Sequence, residues 1–132
     1  MPYDDGQVVD GREALDRLMS EEDLGSKVEK LLEMYGWRWC HFRPARIKRG
    51  EGEQWRTPLT GDKGLPDYVA VRGGRLIMAE LKSSTGKLSP DQQLWHDELV
   101  LVLGIEVYVW RPRDWDEIVE TLKPEGRSVR VT

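Results

Sequence analysis

Three polar residues stand where a core strand calls for apolar ones: Asp67, Glu80 and Lys82. Gly73-Gly74 lies between two β-prone runs, Tyr68 to Arg72 and Leu76 to Leu81, and such a pair of glycines marks a tight hairpin turn. A turn centred between them folds the strands back so that Asp67 lies opposite Glu80. Glu80 and Lys82 are two apart on one strand, so both point to one face while Leu81 points to the other. Two carboxylates facing each other across a strand pair repel unless something neutralises them. A divalent metal does so, since hard cations take carboxylate oxygens, a backbone carbonyl and water. A lysine beside them can hold or deprotonate an attacking water, or offset charge developing on a phosphate. The plainer reading is a surface salt-bridge cluster, because exposed ion pairs are common and contribute little. Val69, Val71, Ile77 and Met78 count against it, since they make the hairpin central. Gly-Leu-Pro before Asp67 also fixes the backbone where a ligand would need it.

The surrounding elements must hold this hairpin in place. Ser20 and Asp23 form a helix-start pattern. Leu24, Val28, Leu31, Leu32 and Tyr35 follow at helical spacing, and Gly36 ends the run. Trp37 to Phe42 alternates like a strand and carries His41. Residues 43–64, rich in charge, proline and glycine, are expected to form a long loop, a feature often tied to function. Ser89 and Pro90 open a helix whose apolar face would be Leu94, Trp95, Leu99, Val102 and Leu103. Glu106 to Trp110 reads as a short strand, and Asp114 starts a last helix through Leu122. The order predicts an α/β fold with a central mixed β-sheet flanked by helices.

The chain has 132 residues, enough for one buried core, and 39% of them are hydrophobic. No apolar run approaches the length a membrane-spanning helix needs, so no membrane partner is expected. There is no basic-then-apolar leader, and the lone Cys40 cannot form an internal disulfide. Both fit a reducing, cytoplasmic setting. Net charge is −4, which argues against a nucleic-acid coating protein. The charge is segregated, however. Arg38 to Arg49 contains Arg38, His41, Arg43, Arg46, Lys48 and Arg49 and no acid, and Trp55 and Arg56 follow. Basic loop side chains engage phosphates without reading sequence, and an aromatic can stack on an unpaired base. A solvated charge run is the alternative. No zinc spacing, P-loop, Ser-His-Asp set or dinucleotide fingerprint is present, and no small-molecule cofactor is expected.

The stretch from Gly64 to Trp95 resembles the PD-(D/E)XK nuclease superfamily. More narrowly it is similar to the VRR-Nuc branch, with its small stand-alone phage members related to Holliday junction resolvases. The residues that carry the likeness are Pro66-Asp67, Glu80 and Lys82, Gly86-Lys87-Leu88, Gln92 and Trp95. The likeness covers about residues 21–122 and implies a restriction-endonuclease-like core over 20–122. An N-terminal arm would span 1–19, mobile or in a dimer contact, and a tail would span 123–132. It implies Mg2+, with Mn2+ able to substitute, held by Asp67, Glu80, the main-chain carbonyl of Leu81 and an acid on the first helix. Glu21, Glu22 and Glu29 are candidates for that acid, and Glu21 is preferred for its position before Leu24. Gly25 stands where the family often has glutamine.

By the same likeness Gln92 supports the metal site or the lysine, so the catalytic set is Asp67, Glu80, Lys82, Gln92 and Glu21. His41, Arg43, Arg46, Lys48, Arg49 and Lys87 would contact DNA. A hydrogen-bonded structural role for His41 is the other option. The implied activity is Mg-dependent DNA hydrolysis leaving 5′-phosphate and 3′-hydroxyl ends. The likeness also implies branched DNA as substrate, a homodimer, and a phage or prophage role in recombination, replication or packaging. The alternatives are a non-cleaving nucleic-acid-binding module, a restriction or defence nuclease on ordinary duplex, and a structural phage component.

Overall fold

The computed structural model describes residues 11–42, 45–49, 52–56 and 60–125. The core is an α/β assembly around a four-stranded mixed sheet, ordered β1-β4-β5-β6. Its strands are β1 (Arg38–His41), β4 (Tyr68–Arg72), β5 (Arg75–Leu81) and β6 (Glu106–Trp110). β4 pairs antiparallel with both β1 and β5, whereas β5 and β6 run parallel. A parallel pair needs a crossover, and the segment holding helix α3 (Pro90–Leu99) supplies it.

The hairpin forms in the register expected from its turn. Gly73 and Gly74 have φ of 56° and 84°. A two-residue turn of this kind needs positive φ at both positions, which glycine adopts without a Cβ clash. Tyr68 pairs with Ala79, and Arg72 with Arg75. One step beyond Tyr68 and Ala79 come Asp67 and Glu80.

Helix α2 (Glu21–Met34) starts on a full capping box. The Asp23 amide donates to Ser20 Oγ at 3.0 Å, and the Ser20 amide donates to Asp23 Oδ2 at 3.4 Å. Its buried stripe is Leu24, Val28, Leu31 and Leu32. These join Tyr68, Ala70, Ile77, Ala79 and Leu81 of the sheet, and Ile118 and Leu122 of helix α4 (Trp115–Leu122), in one apolar cluster. Trp37 closes that cluster, and its indole donates to the Leu122 carbonyl at 2.8 Å.

Four sequence expectations change here. Residues 43–64 are not one long loop, because β2 (Ala45–Arg49) pairs antiparallel with β3 (Gly52–Arg56) in a separate two-stranded sheet. The expected apolar face of α3 is not buried. Leu94 is 64% exposed, Leu103 is 95% exposed, and Val102 and Leu103 lie past the helix end. Trp95 is half-buried and its indole donates to the Asp62 carbonyl at 3.3 Å, so it fastens a loop rather than filling the core. Within the expected arm, residues 11–18 form helix α1 (Gly11–Leu18). The buried Asp16 ties α1 to the 3-10 turn Pro112–Asp114, accepting from the Arg113 amide at 3.0 Å and from its guanidinium at 3.1 Å. Among the described residues no helix is long and apolar enough to cross a membrane.

Candidate active site

Asp67 sits where the chain enters β4, and the backbone holds it there from both sides. The Phe42 amide donates to the Asp67 carbonyl at 2.7 Å, joining it to the end of β1. Pro66 before it is buried. Gly64 has φ of 106°, and a Cβ at this position would meet Asp91 backbone atoms at 2.6 Å, so the approach to Asp67 requires glycine. On the side-chain end, the Leu81 amide donates to Asp67 Oδ2 at 3.4 Å. The Asp67 carboxyl is therefore drawn to the last residue of β5.

Glu80 is the central group. It is 4% exposed, which is exceptional for a carboxyl group. Its Oε2 accepts from Gln92 Nε2 at 3.0 Å and lies 3.8 Å from Lys82 Nζ. Its Oε1 is buried without a hydrogen-bond partner in the structure described. Burial raises its pKa to about 8, and the negative charge of Asp67 pushes in the same direction. The positive charge of Lys82 opposes this rise.

Glu21 opens α2 at the rim of the same place. Its pKa is raised by partial burial and then by the charge of Asp67, with Lys82 pulling it down. Of the three first-helix candidates, Glu21 is the one whose charge is felt by Glu80. Glu22, exposed like Glu21, is not among the charges acting on Glu80, and Glu29 is engaged elsewhere. Among the described residues no three His, Cys, Asp or Glu side chains are grouped closely enough to hold one ion. Glu21 is thus in electrostatic reach of the two acids without joining them in a three-acid set.

The remaining expected residues fall in two groups. Leu81 is buried, and Lys82, half-buried, bonds through its amide to the Trp110 carbonyl at 2.9 Å. Lys87 is exposed on the loop after β5. Arg111 holds that loop by donating to the carbonyls of Ser83 and Gly86, both at 2.6 Å. Arg43, together with the side chains of Arg46, Lys48 and Arg49, lies outside the described residues. His41 ends β1, its ring stacked on Tyr68 with centroids 4.0 Å apart, and its Nδ1 is 3.2 Å from Glu29 Oε2.

A cleft of about 750 Å3 opens beside these groups. It is lined by Glu21, Glu22, Glu29, His41, Asp67 and Leu81, among others. The acids that act on each other beside it, Asp67 and Glu80, carry hard carboxylate oxygens. Magnesium is held through one or two carboxylates with retained waters and substrate phosphates, so it needs no third acid. The orphaned Glu80 Oε1 and the repulsion between the Asp67 and Glu80 charges are what such a cation would relieve, and the residues present fit it. Sequence reasoning missed the Glu29–His41–Tyr68 contact, because Glu29 and Tyr68 are 39 residues apart. It also missed Arg111, whose signal was a lone arginine after a strand. No protein-family model, curated protein or solved structure matches this chain.

Proposed function

We propose that this chain is a divalent-metal-dependent nuclease that hydrolyses DNA phosphodiester bonds. The observation that carries the reading is the buried Glu80 carboxyl, set against Asp67, held by Gln92 and flanked by Lys82. A surface salt-bridge cluster would not be buried and would not leave an acid oxygen without a partner. In this reading Asp67, Glu80 and the Leu81 carbonyl hold Mg2+, or Mn2+ in its place, and Glu21 adds negative charge at the rim. The chemistry such a cation supplies is Lewis acidity and charge neutralisation at a phosphodiester.

The chain's own groups do the rest. Lys82, with its ammonium beside Glu80, orients the water or donates to a phosphate oxygen as charge develops there. Gln92 keeps Glu80 Oε2 pointed at the site. The water oxygen bonds to phosphorus as the water gives up a proton, the bond from phosphorus to O3′ breaks, and O3′ takes up a proton as it leaves. The ends are a 5′-phosphate and a 3′-hydroxyl.

The restriction-endonuclease-like core, the VRR-Nuc affinity, branched DNA as substrate and a homodimer that acts on it are parts of the proposal that rest on the sequence resemblance, as does a cytoplasmic phage-type setting. Incubation with linear duplex, single strands and a four-way junction, with Mg2+ and with chelator, tests it. The expected result is metal-dependent cutting concentrated on the junction. Equal cutting of plain duplex would remove the branched-DNA claim. Binding without cutting would leave a nucleic-acid-binding module.

A further inference from the structure

Two parallel strands end side by side at the site, and the residues that follow them meet at one loop. Leu81 of β5 is in register with Trp110 of β6, and the Lys82 amide donates to the Trp110 carbonyl at 2.9 Å. Lys82 and Arg111 come next on the two strands. After β5 the chain leaves regular structure until α3 opens at Pro90. Arg111 Nη1 donates to the Ser83 and Gly86 carbonyls, both at 2.6 Å, and so grips the 83–86 segment at both ends. Inside that segment the Gly86 amide donates to Ser83 Oγ at 3.0 Å. Gly86 is thereby turned back on the lysine. A Cβ built on it would stand 3.5 Å from Lys82 Cδ and 3.1 Å from Ser83 Oγ.

Lysine side chains are usually solvated, yet that of Lys82 is only 14% exposed, with its ammonium 3.8 Å from Glu80 Oε2. That separation is longer than a hydrogen bond. The ion pair alone therefore does not fix a four-carbon stem with many rotamers. The 83–86 segment supplies a wall along the stem, and the wall is as firm as the loop that carries it. Hydrogen bonds from a guanidinium are charge-assisted, which suits Arg111 to hold such a segment. We infer that Arg111 is a positioning residue for Lys82: it clamps the 83–86 segment against the lysine stem and so keeps the ammonium beside Glu80. This rests on the nuclease reading above. It gives Arg111 a part in the rate of cleavage rather than in DNA affinity, since its Nη1 is taken up by the chain's own carbonyls.

The test is a double-mutant cycle on single-turnover cleavage of a four-way junction in Mg2+. The enzyme is in saturating excess, so that the rate and not the binding is read. Arg111→Ala should slow cleavage by roughly tenfold, the scale of a reacting group displaced by less than an ångström. In the Lys82→Met background Arg111→Ala should cost nothing further, because the clamp then has no ammonium to place. Arg111→Lys keeps a charged donor with a shorter reach and should fall in between. Equal losses from Arg111→Ala in both backgrounds would mark it as a merely structural loop tie and overturn the inference. A folded Arg111→Ala that cuts at the full saturated rate would do the same, even if it binds the junction more weakly.

Should Arg111→Ala fail to fold, Ser83→Ala reaches the same segment from inside. It removes the acceptor of the Gly86 amide and leaves both carbonyls for Arg111. It should bring a smaller loss of rate, again absent in the Lys82→Met background. A second readout needs no cleavage: acylation of the metal-free chain by acetic anhydride, followed peptide by peptide. Lys82 should react more slowly than the exposed Lys87 in the wild type. It should react faster in Arg111→Ala or Ser83→Ala, while the exposed Lys63 is unchanged. Lys82 acylation at one rate in the wild type and the variant contradicts the proposal. A wild-type chain that neither binds nor cuts any DNA ends the nuclease reading and this inference with it, whereas an active wild type with an indifferent Arg111 fails only here.

Discussion

Gln92 uses both ends of one amide: its Oε1 accepts from the Ser89 amide at 2.9 Å, and its Nε2 donates to Glu80 Oε2 at 3.0 Å. The helix cap and the central acid of the site are thus held by the same side chain. Gln92→Ala should cost about 1 kcal/mol of stability through the lost cap and should also slow cleavage. Gln92→Glu restores the acceptor for the Ser89 amide but has no donor for Glu80, so cleavage should stay low while the cap returns. Melting curves and cleavage rates on the two variants separate the tasks.

Glu80 sets a pH dependence of stability whose sign is fixed. Its folded pKa of about 8 lies above the ordinary carboxylate value of 4.5. Between those values the folded chain holds a proton that the unfolded chain has lost, so stability falls as pH rises through this window. The metal-free protein should melt at a lower temperature at pH 8 than at pH 5.5. Glu80→Gln should flatten that slope and be the more stable protein at pH 8. Mg2+ must displace the proton, so its stabilising effect should grow from pH 6 to pH 8. A metal-free melting temperature that climbs with pH in both proteins would contradict this assignment.

Gly64 is the backbone hinge of the site. With φ of 106° and Asp91 backbone atoms 2.6 Å from where a Cβ would stand, Gly64→Ala should cost about 1–3 kcal/mol. The strain also displaces the chain leading to Asp67, so cleavage should fall at temperatures where the variant is still folded. Circular dichroism melting and a rate measured well below the midpoint check both parts.

The strip after α3 should be indifferent to polarity. Leu101 is 75% exposed and Leu103 is 95% exposed. Leu103→Lys should change stability by no more than about 0.5 kcal/mol. The contrast is Leu32→Ala in α2, a side chain 1% exposed, which should cost about 2–5 kcal/mol. Denaturant unfolding of the two variants makes the comparison.

The hairpin was legible in the sequence because its register follows from two adjacent glycines and a period of two. Asp67, Glu80 and Lys82 therefore came together as expected. The exposed side of α3 was not legible. A helical stripe of leucines looks the same whether the sheet reaches it or not, and here the buried face of the sheet is filled by α2 and α4. The β2–β3 pairing was hidden because a charged, glycine-bounded segment has no apolar alternation to mark strands. Glu29 was read as one acid among three, and only the fold shows it reaching His41 and Tyr68 across the α2–β1 junction.

The most direct test of the central claim is the rate of four-way-junction cleavage in Mg2+ by the wild-type chain beside Asp67→Asn, Glu80→Gln and Lys82→Met. The account predicts cutting by the wild type that chelator abolishes, 5′-phosphate and 3′-hydroxyl ends, and a loss of a hundredfold or more in each folded variant, on the order of what electrostatic and acid–base contributions supply. Cutting that persists in chelator, or at wild-type rates in Glu80→Gln or Lys82→Met, would contradict it.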